Sequence, residues 1–230
     1  MLGSFDFDVI RRSAQFVLVD GLGFTLMLTA LAAPLGLLLG TLLALMRLSG
    51  VRVLGLAATS YVNLMRALPF LLVIFWFYFL MPYVGQWLTG AAQPVKVGAF
   101  ASSLITFVLF EAAFYAEIMR AGIQSVSPGQ TAAGTALGLG RAQVMRHIVL
   151  PQAVRNMAPV LLTQTIILFQ DTSLVYVLSI TDLLGAASKV AQRDGRLVEM
   201  YLFAALVYFA ISFTASRLAR RLEARYAVVR

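Results

Sequence analysis

Apolar residues in this chain fall into long runs separated by short polar stretches, and the run lengths decide the architecture. Five stretches can cross a bilayer: Leu22 to Met46, Val53 to Val84, Val97 to Met119, Asn156 to Ile180 and Met200 to Ser216. A helix needs about 20 such residues to span the hydrocarbon core. The second stretch is long enough to tilt, kink or begin on the interface. Only a helix satisfies all its backbone hydrogen bonds within a single crossing segment, which lipid demands. The pattern predicts an all-α integral membrane protein with five transmembrane helices.

Composition narrows the class further. Of 230 residues, 60% are hydrophobic and 12% charged, against about half and about a quarter in a soluble domain. With a mean hydropathy of +0.87, this excludes a disordered chain, a solvated nucleic-acid reader and an ordinary cytosolic enzyme. No cysteine is present, which removes disulfides, thiolate metal sites and a cysteine nucleophile. The single histidine, His147, removes any His-cluster metal site and reads as a loop residue.

The net charge of +8 is a topology signal once its placement is read. One set of connections carries Arg47, Arg52, Arg120, Arg141, Arg146, Arg155, Arg217, Arg220, Arg221, Arg225 and Arg230, eleven cations against one acid, Glu223. The other carries six cations, Arg11, Arg12, Lys96, Lys189, Arg193 and Arg196, balanced by Asp6, Asp8, Asp20, Asp182, Asp194 and Glu199. The positive-inside rule places the first set in the cytoplasm, so the N-terminus is expected outside and the C-terminus inside. The expected organisation is a periplasmic N-terminal segment over 1–20, a transmembrane domain over 21–217 and a basic cytoplasmic tail over 218–230. Asp6 and Asp8 before the arginines, and a long first apolar run, do not fit a cleavable signal; the first helix is expected in the mature protein.

The polar stretch between the third and fourth spans, Arg120 to Arg155, is patterned rather than linker-like. Ser127-Pro128 reads as a helix start. Ala132, Ala133, Gly134 and Ala136 give that helix a small-residue surface. Gly138-Leu139-Gly140 breaks it, Arg141 to Leu150 restarts a helix with Val144, Ile148 and Val149 on its apolar side, and Pro151 is expected to stop or kink it. Two readings are open: an amphipathic element lying on lipid, or a docking element for a cytoplasmic partner.

The same residues resemble the EAA loop of ABC-importer permeases, which reads Glu-Ala-Ala, three residues, Gly, nine residues, Ile, one residue, Leu-Pro. Here Ala132-Ala133-Gly134 precedes Gly138 by that spacing, and Ile148 and Leu150-Pro151 follow in register. Ala132 stands where the family has Glu and Gly134 where it has Ala, so an ion pair made by the usual glutamate is missing. Further motifs are similar to the polar amino-acid branch of that family: Tyr61-Val62-Asn63 with Arg66 and Pro69, Ala116-Glu117-Ile118 with Arg120, and Leu150-Pro151-Gln152-Ala153. The stretch Phe169 to Ser179, containing Gln170-Asp171-Thr172-Ser173-Leu174, resembles glutamate/aspartate importer permeases.

The resemblance implies the ABC type-1 permease fold, a bacterial inner-membrane location and transport without chemistry in this chain. It implies a second permease subunit, in a homo- or heterodimer, two ABC ATPase subunits docked through Ala132, Ala133, Gly134, Gly138, Ile148, Leu150 and Pro151, and a soluble binding protein delivering a polar amino acid. Glutamate or aspartate is the substrate expected; permeases for arginine, histidine or glutamine are the alternative. No G-x-x-x-x-G-K-[ST] loop occurs in the sequence, so ATP and Mg²⁺ are expected in the ATPase partner. Neither a catalytic residue, a metal site nor a nucleic-acid partner is expected.

Ionisable residues inside the spans are costly and face protein or water. Arg66 either offers its guanidinium fork to a substrate carboxylate or pairs with Glu111, Glu117 or Asp171 to hold helices in register. Gln164, Asp171 and Ser173 form a polar stripe that either lines the translocation path or hydrogen-bonds neighbouring helices. Glu117 and Arg120, three apart on one helix face, are expected to pair structurally. A secondary carrier would need repeated architecture and a coupling-ion site, and neither it, a membrane enzyme nor a channel accounts for the spacing from Gly138 to Pro151.

Overall fold

The computed structural model describes residues 5–226, with side chains to residue 221. Of the expected basic tail, Arg230 lies outside the described residues, as do the side chains of Glu223 and Arg225. All regular structure among the described residues is helical. Five helices are long and apolar enough to span a membrane: Phe7–Leu48, Phe70–Thr89, Ala99–Gln124, Arg141–Leu178 and Leu197–Arg221.

The first is longer than its apolar run. Asp6 caps α1 (Phe7–Gln15), accepting from the N–H groups of Asp8 at 2.9 Å and Val9 at 3.3 Å. A π-helical turn (Phe16–Gly21) joins α1 to α2 (Leu22–Leu48) without a break. Residues 7–21 are therefore a helical extension of the first span, and Val9 and Val17 bury against Leu183, Ala187 and Met200.

The second stretch is where the structure departs from the apolar pattern. Leu68 is forced out of the helical region by the following proline and sits at φ −94°, ψ 141°. The run over 53–84 is thus two helices, α3 (Arg52–Ala67) and α4 (Phe70–Thr89). Only α4 is long and apolar enough to span; α3 packs Ala58 and Val62 onto α2 and α5. Arg66 consequently lies in the last turn of α3, not in the middle of a spanning helix.

Helix α5 (Ala99–Gln124) is the centre of the bundle, with Phe107, Ala112, Ala113, Tyr115 and Ala116 buried. It crosses α2 closely because α2 turns Ala32, Gly36, Gly40 and Ala44, each four residues apart, toward the interior. Lipid gives two apolar helices little reason to associate, so close backbone packing over small residues supplies the attraction.

The fourth span is continuous from α7 (Arg141–Val144) through a π-helical segment (Met145–Val149), α8 (Leu150–Asp171) and a 3₁₀ segment (Thr172–Leu178). Pro151 does not stop the helix. It follows the π turn and occupies the first turn of α8, where a missing N–H is tolerated. Helix α9 (Leu183–Asp194), absent from the hydrophobic pattern, is capped by the buried Asp182, which accepts from Gly185 N at 2.9 Å and Leu184 N at 3.1 Å. Burial pushes the Asp182 carboxyl up to about 6, in spite of these donors and the Tyr208 hydroxyl. Helix α10 (Leu197–Tyr226) carries the last span into the basic tail.

Residues counted together on one face do meet. Arg12 pairs with Asp194 at 3.1 Å, and Arg196 with Asp6 and Glu199, each at 3.5 Å. Arg47 and Arg120, from the other set, meet at Glu117 at the far end of the bundle.

Candidate coupling loop and polar groups within the spans

Between α5 and α8 the chain builds a helix, a turn and a second helix. Ser127 opens α6 (Pro128–Ala136) by accepting from Gly129 N at 3.3 Å, with Pro128 in the first turn. The helix ends on Gly138 at φ +81°, a left-handed position that a residue with a β-carbon adopts at a cost. Leu139 N–H then donates back to Gly134 O at 3.2 Å. Gly140 opens α7, its N–H donating to Gln143 Oε1 at 2.9 Å.

The apolar side of this second helix faces protein. Val144 and Val149 are buried with Val126, Ala153 and Met157, with Ile148 partly buried beside them, so the ends of α5 and α8 cover it rather than lipid. Gly134 is buried where α6 rests on this layer. A β-carbon at Gly134 would lie 2.6 Å from Ile148 Cδ1 and 3.0 Å from Val144 Cγ2. The signature residues therefore divide by task. Gly134 and Ile148 hold the two short helices together, and Gly138 makes the turn. Ala132, Ala133, Leu150 and Pro151 are exposed, as is Leu137 at 81%. What stays exposed on α6 is a small-residue face with one protruding leucine.

The charged groups sort into two separate sites. Glu117 accepts from Arg47 Nη1 at 2.6 Å, is bonded by Arg120, and has Arg66 Nη1 at 3.9 Å. The Arg66 guanidinium also lies over the Phe114 ring, 5.8 Å from its centre. The expected Glu117–Arg120 pair is present, within a larger cluster of one acid and three arginines. Arg47 was legible only as a topology cation, because its partner lies seventy residues away in the chain.

The second site lies where α8 faces α5. Gln164 Nε2 donates to Glu111 Oε2 at 2.9 Å, and Glu111 is completely buried with no hydrogen-bond partner for Oε1 among the described residues. Tyr115 OH and Thr165 Oγ1 are 3.1 Å apart alongside. Asp171 ends α8 where the helix tightens into the 3₁₀ segment, and Asp171 and Ser173 are both partly buried. Among the described residues no hydrogen bond or ion pair joins Arg66 to Gln164, Asp171 or Ser173. Glu111, considered in the sequence as a partner for Arg66, is instead a fully buried acid bonded by Gln164; its place opposite Gln164 depends on how α5 crosses α8.

Five spanning helices around a helix–turn–helix loop define the class. Residues 32–228 match the family of binding-protein-dependent transport system inner membrane components. The chain belongs to this family: it is a multi-pass inner-membrane protein of the ABC type-1 permease fold, a transport component rather than an enzyme. It is 48% identical over 223 residues, 97% of this chain and 99% of the other, to the glutamate/aspartate import permease protein GltK of Escherichia coli O157:H7. It is 34% identical over 206 residues, 90% of this chain and 84% of the other, to the octopine transport system permease protein OccM of Rhizobium radiobacter. A crystal structure of an amino acid ABC transporter with histidines contains a chain of the same fold, with a TM-score of 0.84 and 33% identity over 96% of this chain and 98% of that one.

Proposed function

We propose that this chain is the permease subunit of an ATP-driven importer for glutamate and aspartate. The observation that carries the reading is similarity along almost the whole chain, at 48% identity, to a glutamate/aspartate import permease. The Phe169 to Ser179 stretch, which resembles that branch in sequence, follows Gln164 on the same span and contains Asp171 and Ser173. In this reading a binding protein delivers the amino acid from outside, and a second permease subunit completes the path. Gln164, Asp171 and Ser173, joined by Glu111, line it. Arg66 takes the helix-register role at Glu117 instead, because its position beyond the break at Pro69 separates it from that stripe.

Two ATPase subunits, which hold the ATP and Mg²⁺, dock on the exposed face of α6 and beside Leu150 and Pro151. Their closure displaces the loop, and the loop displaces the spans at both ends, through Val126 at the end of α5 and through the continuous helix 141–178. Carrying a two-state equilibrium from one arrangement fully to the other requires about 5.5 kcal/mol of differential binding. The packed joint of Gly134, Val144 and Ile148 is the element that transmits it.

Uptake of radiolabelled aspartate, glutamate, arginine and histidine, in membranes containing the cognate binding protein and ATPase, tests the substrate. The acids are expected to be transported in preference. Faster transport of arginine or histidine than of either acid refutes the acidic-substrate reading and leaves the family intact. Orientation is tested separately: a reporter fused after Arg230 is expected to be active only in its cytoplasmic form, and periplasmic activity overturns the N-out, C-in arrangement.

A further inference from the structure

We propose that the Arg47–Arg66–Arg120 cluster is a binding site for the headgroup of an anionic phospholipid. The inference starts from charge balance. Three guanidiniums converge on Glu117, the single acid of the cluster. Its contact with Arg66, at 3.9 Å, is the longest of the three. The carbonyl ends of α2 and α3, whose last turns hold Arg47 and Arg66, supply partial negative charge, about half an elementary charge each. That leaves roughly one positive charge unmatched on partly desolvated side chains. The next acid along α5, Glu111, forms no ion pair with these arginines among the described residues and is bonded through Oε2 by Gln164.

Depth selects the occupant. Arg47 is one residue from the end of its span at Leu48, and Arg120 is four from the end of its span at Gln124. Arg47 and Arg120 therefore stand near the ends of two spans, where headgroups lie, and Arg66 reaches the same acid from the end of α3. Basic pockets between spanning helices on the cytoplasmic side are suited to anionic headgroups, and this is the end that the cation count assigns to the cytoplasm. The Arg66 side chain is 43% exposed, against 15% for Arg47 and 26% for Arg120, so Arg66 is the cation available to a phosphate. Its planar fork can donate two parallel hydrogen bonds to phosphate oxygens. Leu45, Leu48 and Leu64, exposed on the same helix ends, give an acyl chain apolar surface beside it. Glu117 keeps the guanidiniums together in the absence of lipid, and the lipid supplies the second anion.

Native mass spectrometry of the full-length chain in detergent, titrated with phosphatidylglycerol and with phosphatidylcholine of the same acyl chains, reads the site directly. Phosphatidylglycerol is expected to be retained in preference. Arg66→Gln should weaken that retention roughly five-fold, as loss of one cation at a membrane surface does, and Arg66→Lys, which keeps the charge without the fork, should lose less. Arg220→Gln, on the basic end of α10, should leave retention unchanged. Equal retention of the two lipids by the unsubstituted chain overturns the proposal whether or not the variants fold, and so does unchanged phosphatidylglycerol retention in a folded Arg66→Gln chain. Displacement of the lipid by millimolar free glutamate also overturns it, by showing a site for a soluble carboxylate.

Discussion

Gly40→Val is expected to prevent the helix bundle from assembling, while Gly23→Ala on the same helix leaves it intact. A β-carbon at Gly40 would lie 2.7 Å from Tyr115 Cβ, 2.8 Å from Ala112 O and 2.9 Å from Ala116 N. Two of these atoms are backbone, so no side-chain rotation relieves the overlap, and α2 must move away from α5. Overpacking a well-filled site costs about 1–3 kcal/mol. Here the penalty reaches beyond one contact, because separation also weakens the approach at Gly36, whose β-carbon would already lie 3.3 Å from Glu111 Cβ. Nothing lies within 4 Å of a β-carbon at Gly23, which makes it the matched control. Yield of monodisperse protein and thermal unfolding in detergent are the measurements: Gly40→Val should give little folded material and Gly40→Ala a lowered midpoint. A Gly40→Val chain that unfolds at the wild-type temperature would show that the α2–α5 crossing is not as close as described.

Gly138→Val is expected to lower transport and partner ATPase stimulation by up to about ten-fold while leaving membrane insertion intact. Gly138 adopts φ +81°, and left-handed backbone costs an L-residue roughly 1–2 kcal/mol, with β-branched side chains the worst placed. That cost shifts the turn's equilibrium about ten-fold toward conformations in which α6 leaves the layer formed by Val144 and Ile148. The surroundings separate the backbone effect from a steric one, since nothing lies within 4 Å of a β-carbon at this position. Asparagine, which tolerates the left-handed region, should therefore retain most uptake. Val and Asn variants with equal loss would show that the space beside Gly138 is filled by a docked partner instead. A Val variant with full uptake would remove the turn from the coupling path altogether.

The number of spans, the approximate limits of the third and fifth, and the loop between the third and fourth were legible from the sequence alone. The reason is solvent: lipid penalises unpaired backbone and charge so strongly that run length and cation placement report the crossings without any knowledge of packing. The loop was legible because turns and helix starts are local chemistry, and Ser127, Pro128 and Gly138 act where they stand in the chain. Local chemistry also contained the break at Pro69 and the capped helix after Asp182, although an apolar-run reading passes over both. Tertiary structure alone decided which charges meet. Arg47, Arg66 and Arg120 converge on Glu117 because α2, α3 and α5 pack on one another, and Glu111 finds Gln164 because α8 crosses α5 at that level. The crossing itself rests on Gly36 and Gly40, which in sequence are two glycines in an apolar run. Their contribution is the absence of a side chain, and that acquires a meaning only when another helix occupies the space.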